Sequence, residues 1–355
     1  CRRWRIKPIY MSTAHPVFDP DTKELFSVNY GRALGSPFAA NITIDEDVTS
    51  LSQAVWEVVR HLPKLLLFYI ITLPLMIVGW FRKLINNYDG NVFTYLVRWD
   101  GEGELERWEL YNEDGSPVAI RQTLHQMAIT KDYIVLLDAA FKFTVDQMYN
   151  SINPFHHENK FLERLARHIL SGPQLPDTVM YLVPRSEINK TAGQPASQNP
   201  KKQPPSKITA RKVILPPEAL HFLADYDTTA GDIVLHLAHN SAACFAEWIR
   251  EYDKLAYTGE AVDPDFYGMI AIGQMDISRQ GKYRIDGATA SLNDASVISN
   301  LDEPNTFNVG LYAYLDQSVF GQSTPKLTNI FWMGGGFYTE LLTEFIFNMY
   351  KDYRY

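Results

Sequence analysis

The sequence predicts an all-β chain, and three observations carry that expectation. Short runs of strand-forming residues, punctuated by turn residues, recur through most of the chain, the spacing of a sandwich, a barrel or a set of propeller blades. The 355 residues are 46% hydrophobic and 13% aromatic, ample for one large packed domain and incompatible with wholesale disorder. Helical periodicity is confined to a few short segments.

Taken in order, a turn over Asp19–Lys23 leads into a strand over Glu24–Tyr30. Thr94–Trp99, the turn Gly101-Glu102-Gly103 and Glu104–Tyr111 read as a hairpin. A second turn, Asn112–Pro117, leads into Val118–Thr123, and further strands are expected at Tyr133–Leu137, Val179–Pro184, Ile233–Leu237 and Val309–Leu315. Phe161–Leu170 and Thr339–Tyr350 carry apolar residues at helical spacing, and Pro216–Asp225 reads as a short helix with proline at its start. No fixed-period repeat selects one β architecture over another.

Two segments stand apart. Thr191–Ser206 has four prolines and no large apolar residue, which predicts a disordered Pro-rich insertion over residues 186–210 inside one domain spanning 1–355. Leu65–Phe81 is a run of 17 uncharged residues between basic flanks. As a helix it spans about 25 Å, short of the ~30 Å hydrocarbon core, and Pro74 would kink it. A buried helix, a spanning helix and a segment dipping into one leaflet all fit. The expectation favours the last, a membrane-associating insertion over 65–81.

Charge and cysteine content narrow the function. A formal charge of −8 with no basic face excludes nucleic acid as the main partner. Cys1 and Cys244, the only cysteines, supply neither a disulfide framework nor a cysteine-based zinc site, as suits a reducing compartment. The chain opens on Cys1 without an apolar signal core and reads as an internal piece of a longer protein.

The nine histidines are the remaining source of chemistry. His61, His156, His157, His168 and His221 lie on helical stretches or in loops and read as surface or packing residues. Three have richer surroundings. His15 lies in Thr13-Ala14-His15-Pro16 ahead of Asp19-Pro20-Asp21-Thr22-Lys23-Glu24. His125 opens His125-Gln126-Met127-Ala128-Ile129-Thr130, followed by a strand. His236 ends the strand Gly231–Leu235, with His239-Asn240-Ser241-Ala242 after it.

These segments resemble the carotenoid cleavage oxygenases, a family that includes lignostilbene dioxygenases and the retinoid isomerase. Glu303-Pro304-Asn305-Thr306-Phe307-Asn308, Leu182-Val183-Pro184-Arg185 and the closing Leu341–Tyr355 also resemble family segments, in matching order. The resemblance implies a seven-bladed β-propeller, incomplete in this chain and truncated at both ends, with helical insertions capping one face. It implies Fe(II) held by histidines, with His15, His125 and His236 as the ligands present and His239 as the fallback for His236. On an extended strand His239 would face the opposite side from His236. The family's fourth ligand has no counterpart, since no histidine follows His239.

Glu303 is implied to be a carboxylate that orients a ligand imidazole. The implied reaction is dioxygenase cleavage of a conjugated C=C bond in a carotenoid, apocarotenoid or stilbenoid. The implied partners are a small apolar conjugated substrate, O2 and a membrane surface, for a cytoplasmic, peripherally attached enzyme. The alternatives are a non-cleaving isomerase of the same fold and a metal-free membrane-attached scaffold. Gly334-Gly335-Gly336 lacks the spacing and context of a phosphate-binding loop, so no organic cofactor is expected.

Overall fold

Alternation of buried and exposed side chains sets the strands. Along Ser206–Leu215 the side chains of Ile208, Ala210, Val213 and Leu215 are buried, while Lys207, Thr209, Lys212 and Ile214 are exposed. The computed structural model describes residues 9–32, 92–139, 164, 177–197, 205–215, 219–228, 231–239, 249–269, 279–298, 306–315, 327–336 and 341–351. Contacts divide the chain into two compact units, residues 1–11 with 31–93 and residues 12–30 with 94–355. Nearly all described residues belong to the second.

The strands are β1 (Ile9–Ser12), β2 (Val17–Phe18), β3 (Leu25–Arg32), β4 (Val92–Trp99), β5 (Glu106–Asn112), β6 (Thr123–Ile129), β7 (Tyr133–Ala139) and β8 (Thr178–Pro184). They continue with β9 (Gln194–Pro195), β10 (Ser206–Leu215), β11 (Ala219–Ala224), β12 (Asp232–His239), β13 (Arg279–Asp286), β14 (Ser291–Ile298), β15 (Thr306–Tyr314) and β16 (Leu327–Gly336). Two short α-helices, α1 (Arg185–Lys190) and α2 (Glu344–Tyr350), and a 3-10 turn over Pro264–Phe266 are described. The all-β class expected from the sequence is the observed one.

In the larger unit, β10 joins two runs of strands into one continuous sheet. Ser206–Ala210 pair in parallel with Trp108–Asn112 of β5, and Arg211–Leu215 pair antiparallel with β8. The antiparallel set β10-β8-β7-β6 and the meander β11-β12-β13-β14 are each four strands wide, the size of a propeller blade. Leu137, Met180 and Leu182 from the first pack against Phe222, Leu235 and Leu237 from the second in one buried cluster. Each such side chain contributes about 1.5–3 kcal/mol on burial. The hairpin β15-β16 places Leu311 and Ala313 against Leu223 and Ala238 on the other face of the meander.

Three local expectations are corrected. Where a helix over Pro216–Asp225 is expected, residues 216–218 lie outside the described residues and Ala219–Ala224 form strand β11, buried throughout and paired with β12. Its continuous apolar run reads equally as buried strand or helix, and pairing decides for the strand. Val118–Gln122 lie outside any strand. The carboxylate of Asp138 accepts the backbone N–H groups of Arg121 and Gln122 at 2.8 and 2.9 Å, replacing ladder bonds there. The Pro-rich span 186–210 opens in helix α1, pairs Gln194 and Pro195 with β5, and closes in β10. Residues 198–204 lie outside the described residues, as do Phe161–Leu170 save Arg164, and the apolar run 65–81. Among the described residues, no helix is long and apolar enough to cross a membrane.

Candidate metal centre

Backbone pairing brings the first two histidines together. Ala14 donates its N–H to the carbonyl of His125 at 3.1 Å, and the Thr13 hydroxyl donates to the same carbonyl at 3.1 Å. His15 then forms a parallel bridge with Gln126. His125 and Gln126 form a β-bulge, because these two residues of β6 oppose Leu137 alone of β7. A bulge re-aims side chains that strict alternation would send to opposite faces. A second bulge, at Leu220 of β11, immediately precedes His221.

The result is a cluster of three imidazoles. Ring centroids lie 4.9 Å apart for His15 and His125, 4.8 Å for His125 and His221, and 5.7 Å for His15 and His221. One ring nitrogen from each lies within 4.8 Å of the others. A metal bound at about 2.1 Å from each nitrogen needs them roughly 3 Å apart, so binding would draw the rings closer together.

The electrostatics suit ligation. Burial pushes the His221 imidazole down to about 3, assisted by repulsion from His125 and His15. Burial, with His15 beside it, pushes His125 down to about 4, and burial also lowers the more exposed His15. All three are neutral near pH 7, the state in which imidazole donates a lone pair to a metal. This donor set fits iron, zinc, copper and nickel alike.

The strand ends behind the cluster are tied by one buried node. Asp19, four residues past His15, is fully buried and paired with the Arg185 guanidinium. Arg185 also donates to the carbonyls of Thr130, at 3.1 Å, and Lys131, at 3.3 Å, just beyond β6. The Tyr226 hydroxyl, five residues past His221, donates to Asp19 at 2.9 Å. Burial raises the Asp19 carboxyl, but the Asp21 N–H, the Tyr226 hydroxyl and the Arg185 charge outweigh it and hold the group below its usual range. The node therefore joins the chain segments that follow each of the three clustered histidines.

The structure does not bring His236 or His239 into this group. His236 sits opposite Leu223, two pairs further along the β11–β12 ladder than His221, and its Nε2 meets Asp225 at 3.1 Å. His239 bonds the Tyr283 hydroxyl at 2.8 Å on the other side of the sheet, among the cluster that holds Leu235 and Leu237. Gly281 makes room for that contact, since a Cβ there would lie 2.5 Å from His239 Nε2. Glu303 lies outside the described residues. His221 is the residue that sequence reading set aside. Its signal was present only as a histidine within an apolar run, Ala219–Ala224, flanked by acids.

Beside the cluster lies a cavity of about 340 Å³ lined by His15, Pro16, Gln126, Leu223, Asn329 and Phe331, among others. Phe331 stacks on His221 with centroids 4.2 Å apart. The cavity wall thus mixes an imidazole and two carboxamides with aliphatic and aromatic side chains.

No protein-family model matches the chain, and a search of curated proteins returns no relative. Among solved structures, the chain is similar to a lignostilbene dioxygenase of Pseudomonas brassicacearum, at 13% identity and a TM-score of 0.34. The match covers 84% of this chain and 40% of that one, so the chain spans well under half the length of the protein it resembles.

Proposed function

We propose that this chain carries the metal centre of a non-heme Fe(II) dioxygenase that cleaves a conjugated C=C bond of a carotenoid, apocarotenoid or stilbenoid with O2. The observation that carries the reading is the convergence of His15, His125 and His221, three neutral imidazoles from separate parts of the chain. The donor set alone does not choose iron; the ordered likeness of the His15 and His125 segments to the carotenoid cleavage oxygenases favours it. The seven-bladed propeller belongs to the same proposal.

In this reading His15, His125 and His221 hold the metal. Fe(II) held by these neutral imidazoles would supply O2 activation. Phe331 and Gln126 hold the His221 ring, the one by stacking and the other by a hydrogen bond. Pro16, Leu223 and Phe331 in the cavity wall give a flat conjugated molecule an apolar contact next to His15. The association of Leu65–Phe81 with a membrane surface, which would draw apolar substrate from lipid, rests on the sequence alone and is part of the proposal.

The test is metal analysis of the protein reconstituted anaerobically with Fe(II), followed by O2 uptake and product analysis with a stilbenoid and an apocarotenoid. About one iron per chain and paired carbonyl products are expected. Iron with unbroken, isomerised product would overturn cleavage in favour of isomerisation. Absence of iron uptake would favour the metal-free scaffold.

A further inference from the structure

We propose that Gln126 is a positioning residue that fixes His221 in the tautomer protonated on Nδ1, leaving Nε2 as the nitrogen able to bind a metal. The inference deepens the metal-centre reading and rests on it only for its consequence, not for its geometry.

The argument turns on which atom of the carboxamide faces the ring. Gln126 Oε1 lies 3.0 Å from His221 Nδ1 and 3.1 Å from the backbone nitrogen of Phe222. A backbone N–H only donates, so the atom it meets is the carboxamide oxygen. That oxygen only accepts, so Nδ1 of His221 carries the proton. Nε2 then holds the ring's lone pair. The hydrogen bond from Phe222 thus removes the ambiguity that surrounds an amide and an imidazole taken as a pair.

Both partners are held in place. Gln126 and His221 are each 6% exposed, so water does not compete for the bond. Phe331 stacks on the imidazole and restricts its rotation. Gln126 directly follows His125, and the bulge at these two residues allows one to serve as a ligand while its neighbour holds the next ligand. Displacement of β6 therefore moves two of the three imidazoles together. The partner is also uncharged. A carboxamide oxygen orients the ring and fixes its tautomer as a carboxylate would, without placing a charge beside it.

The experiment uses the full chain labelled with 15N-histidine and stripped of metal by chelation. Long-range 1H–15N correlation spectra report the tautomer of each neutral histidine. His221, assigned by its absence from a His221→Gln variant, is expected as a single Nδ1–H species. Gln126→Glu should keep that species, because a carboxylate oxygen accepts the same two bonds, whereas Gln126→Leu should yield a mixture or the Nε2–H form. Co(II) titration of the three proteins should show affinity roughly 10- to 100-fold lower for Gln126→Leu. The Gln126→Glu variant should bind at least as well as the parent.

An Nε2–H tautomer in the parent protein would overturn the inference whether or not metal binds. An unchanged Nδ1–H tautomer in Gln126→Leu would overturn the role of Gln126. The expected tautomers with no Co(II) binding by any of the three would support the role of Gln126 and overturn the metal centre itself.

Discussion

Strands β11 and β12 lie side by side in one sheet and carry three histidines between them, yet only the one on β11 joins the cluster. His221 and His236 are offset by two pairs along the ladder, roughly 7 Å at strand spacing. That offset delivers His221 to His15 and His125, and His236 to the carboxylate of Asp225. Asp225 is occupied further by the backbone N–H of Tyr314, at 2.9 Å. His239 faces the opposite side of the sheet and is bound to Tyr283. A histidine's role here follows from where the ladder stops it and which acceptor it meets, not from the strand that carries it.

The strongest way to break this contrast is to remove one histidine at a time. His221→Ala should lower Co(II) or Fe(II) affinity on the order of 100-fold or more, while His236→Ala should leave the metal stoichiometry intact. Calorimetric titration of both variants decides. The reverse order would transfer the metal role to β12 and dissolve the contrast.

The next largest effect belongs to the node behind the cluster. Arg185→Met strands the buried Asp19 carboxylate and should cost about 3–5 kcal/mol in urea unfolding. Adding Asp19→Asn removes the stranded charge and should restore part of that loss. If Arg185→Met alone proves neutral, the segments after His15, His125 and His221 are held by other means.

The smallest effect is a pH dependence that sharpens the contrast between two kinds of buried group. His125 and His221, lowered in the fold to about 4 and about 3, bind protons more readily when unfolded. Their contribution is complete above the unfolded histidine range and is lost as pH falls from about 6.5 toward 4. Asp138 works against them. Burial raises it to about 6, so its contribution grows as pH falls from about 6 to 4. The histidines, with His15 shifted the same way, outnumber the one raised carboxyl, so the metal-free chain loses stability as pH falls through this range. His221→Gln should flatten the slope of urea stability against pH; an unchanged slope would show that its imidazole is not forced neutral.

Much of the fold was legible because strand patterning is local. The strands around Thr94–Trp99, Tyr133–Leu137, Val179–Pro184 and Ile233–Leu237 appear close to where the alternation of side chains puts them. The pairing of His15 with His125 followed from two segments with distinctive residue order. His221 was missed for a physical reason. Two prolines ahead of a short apolar run mimic a helix start, and the bulge at Leu220 disrupts the alternation that would mark a strand. Gln126 was equally silent, since a glutamine beside a histidine has no meaning until a bulge turns both toward one site.

By itself, then, the sequence determined which stretches extend, which residue types are available to a metal, and that His239 and His236 must face apart. Only the tertiary structure decided which histidines meet. Convergence depends on ladder register and on two single-residue bulges, and these are set by pairing between residues far apart in the chain. A shift of one residue turns a side chain to the other face, so local pattern cannot choose the partner of a distant imidazole.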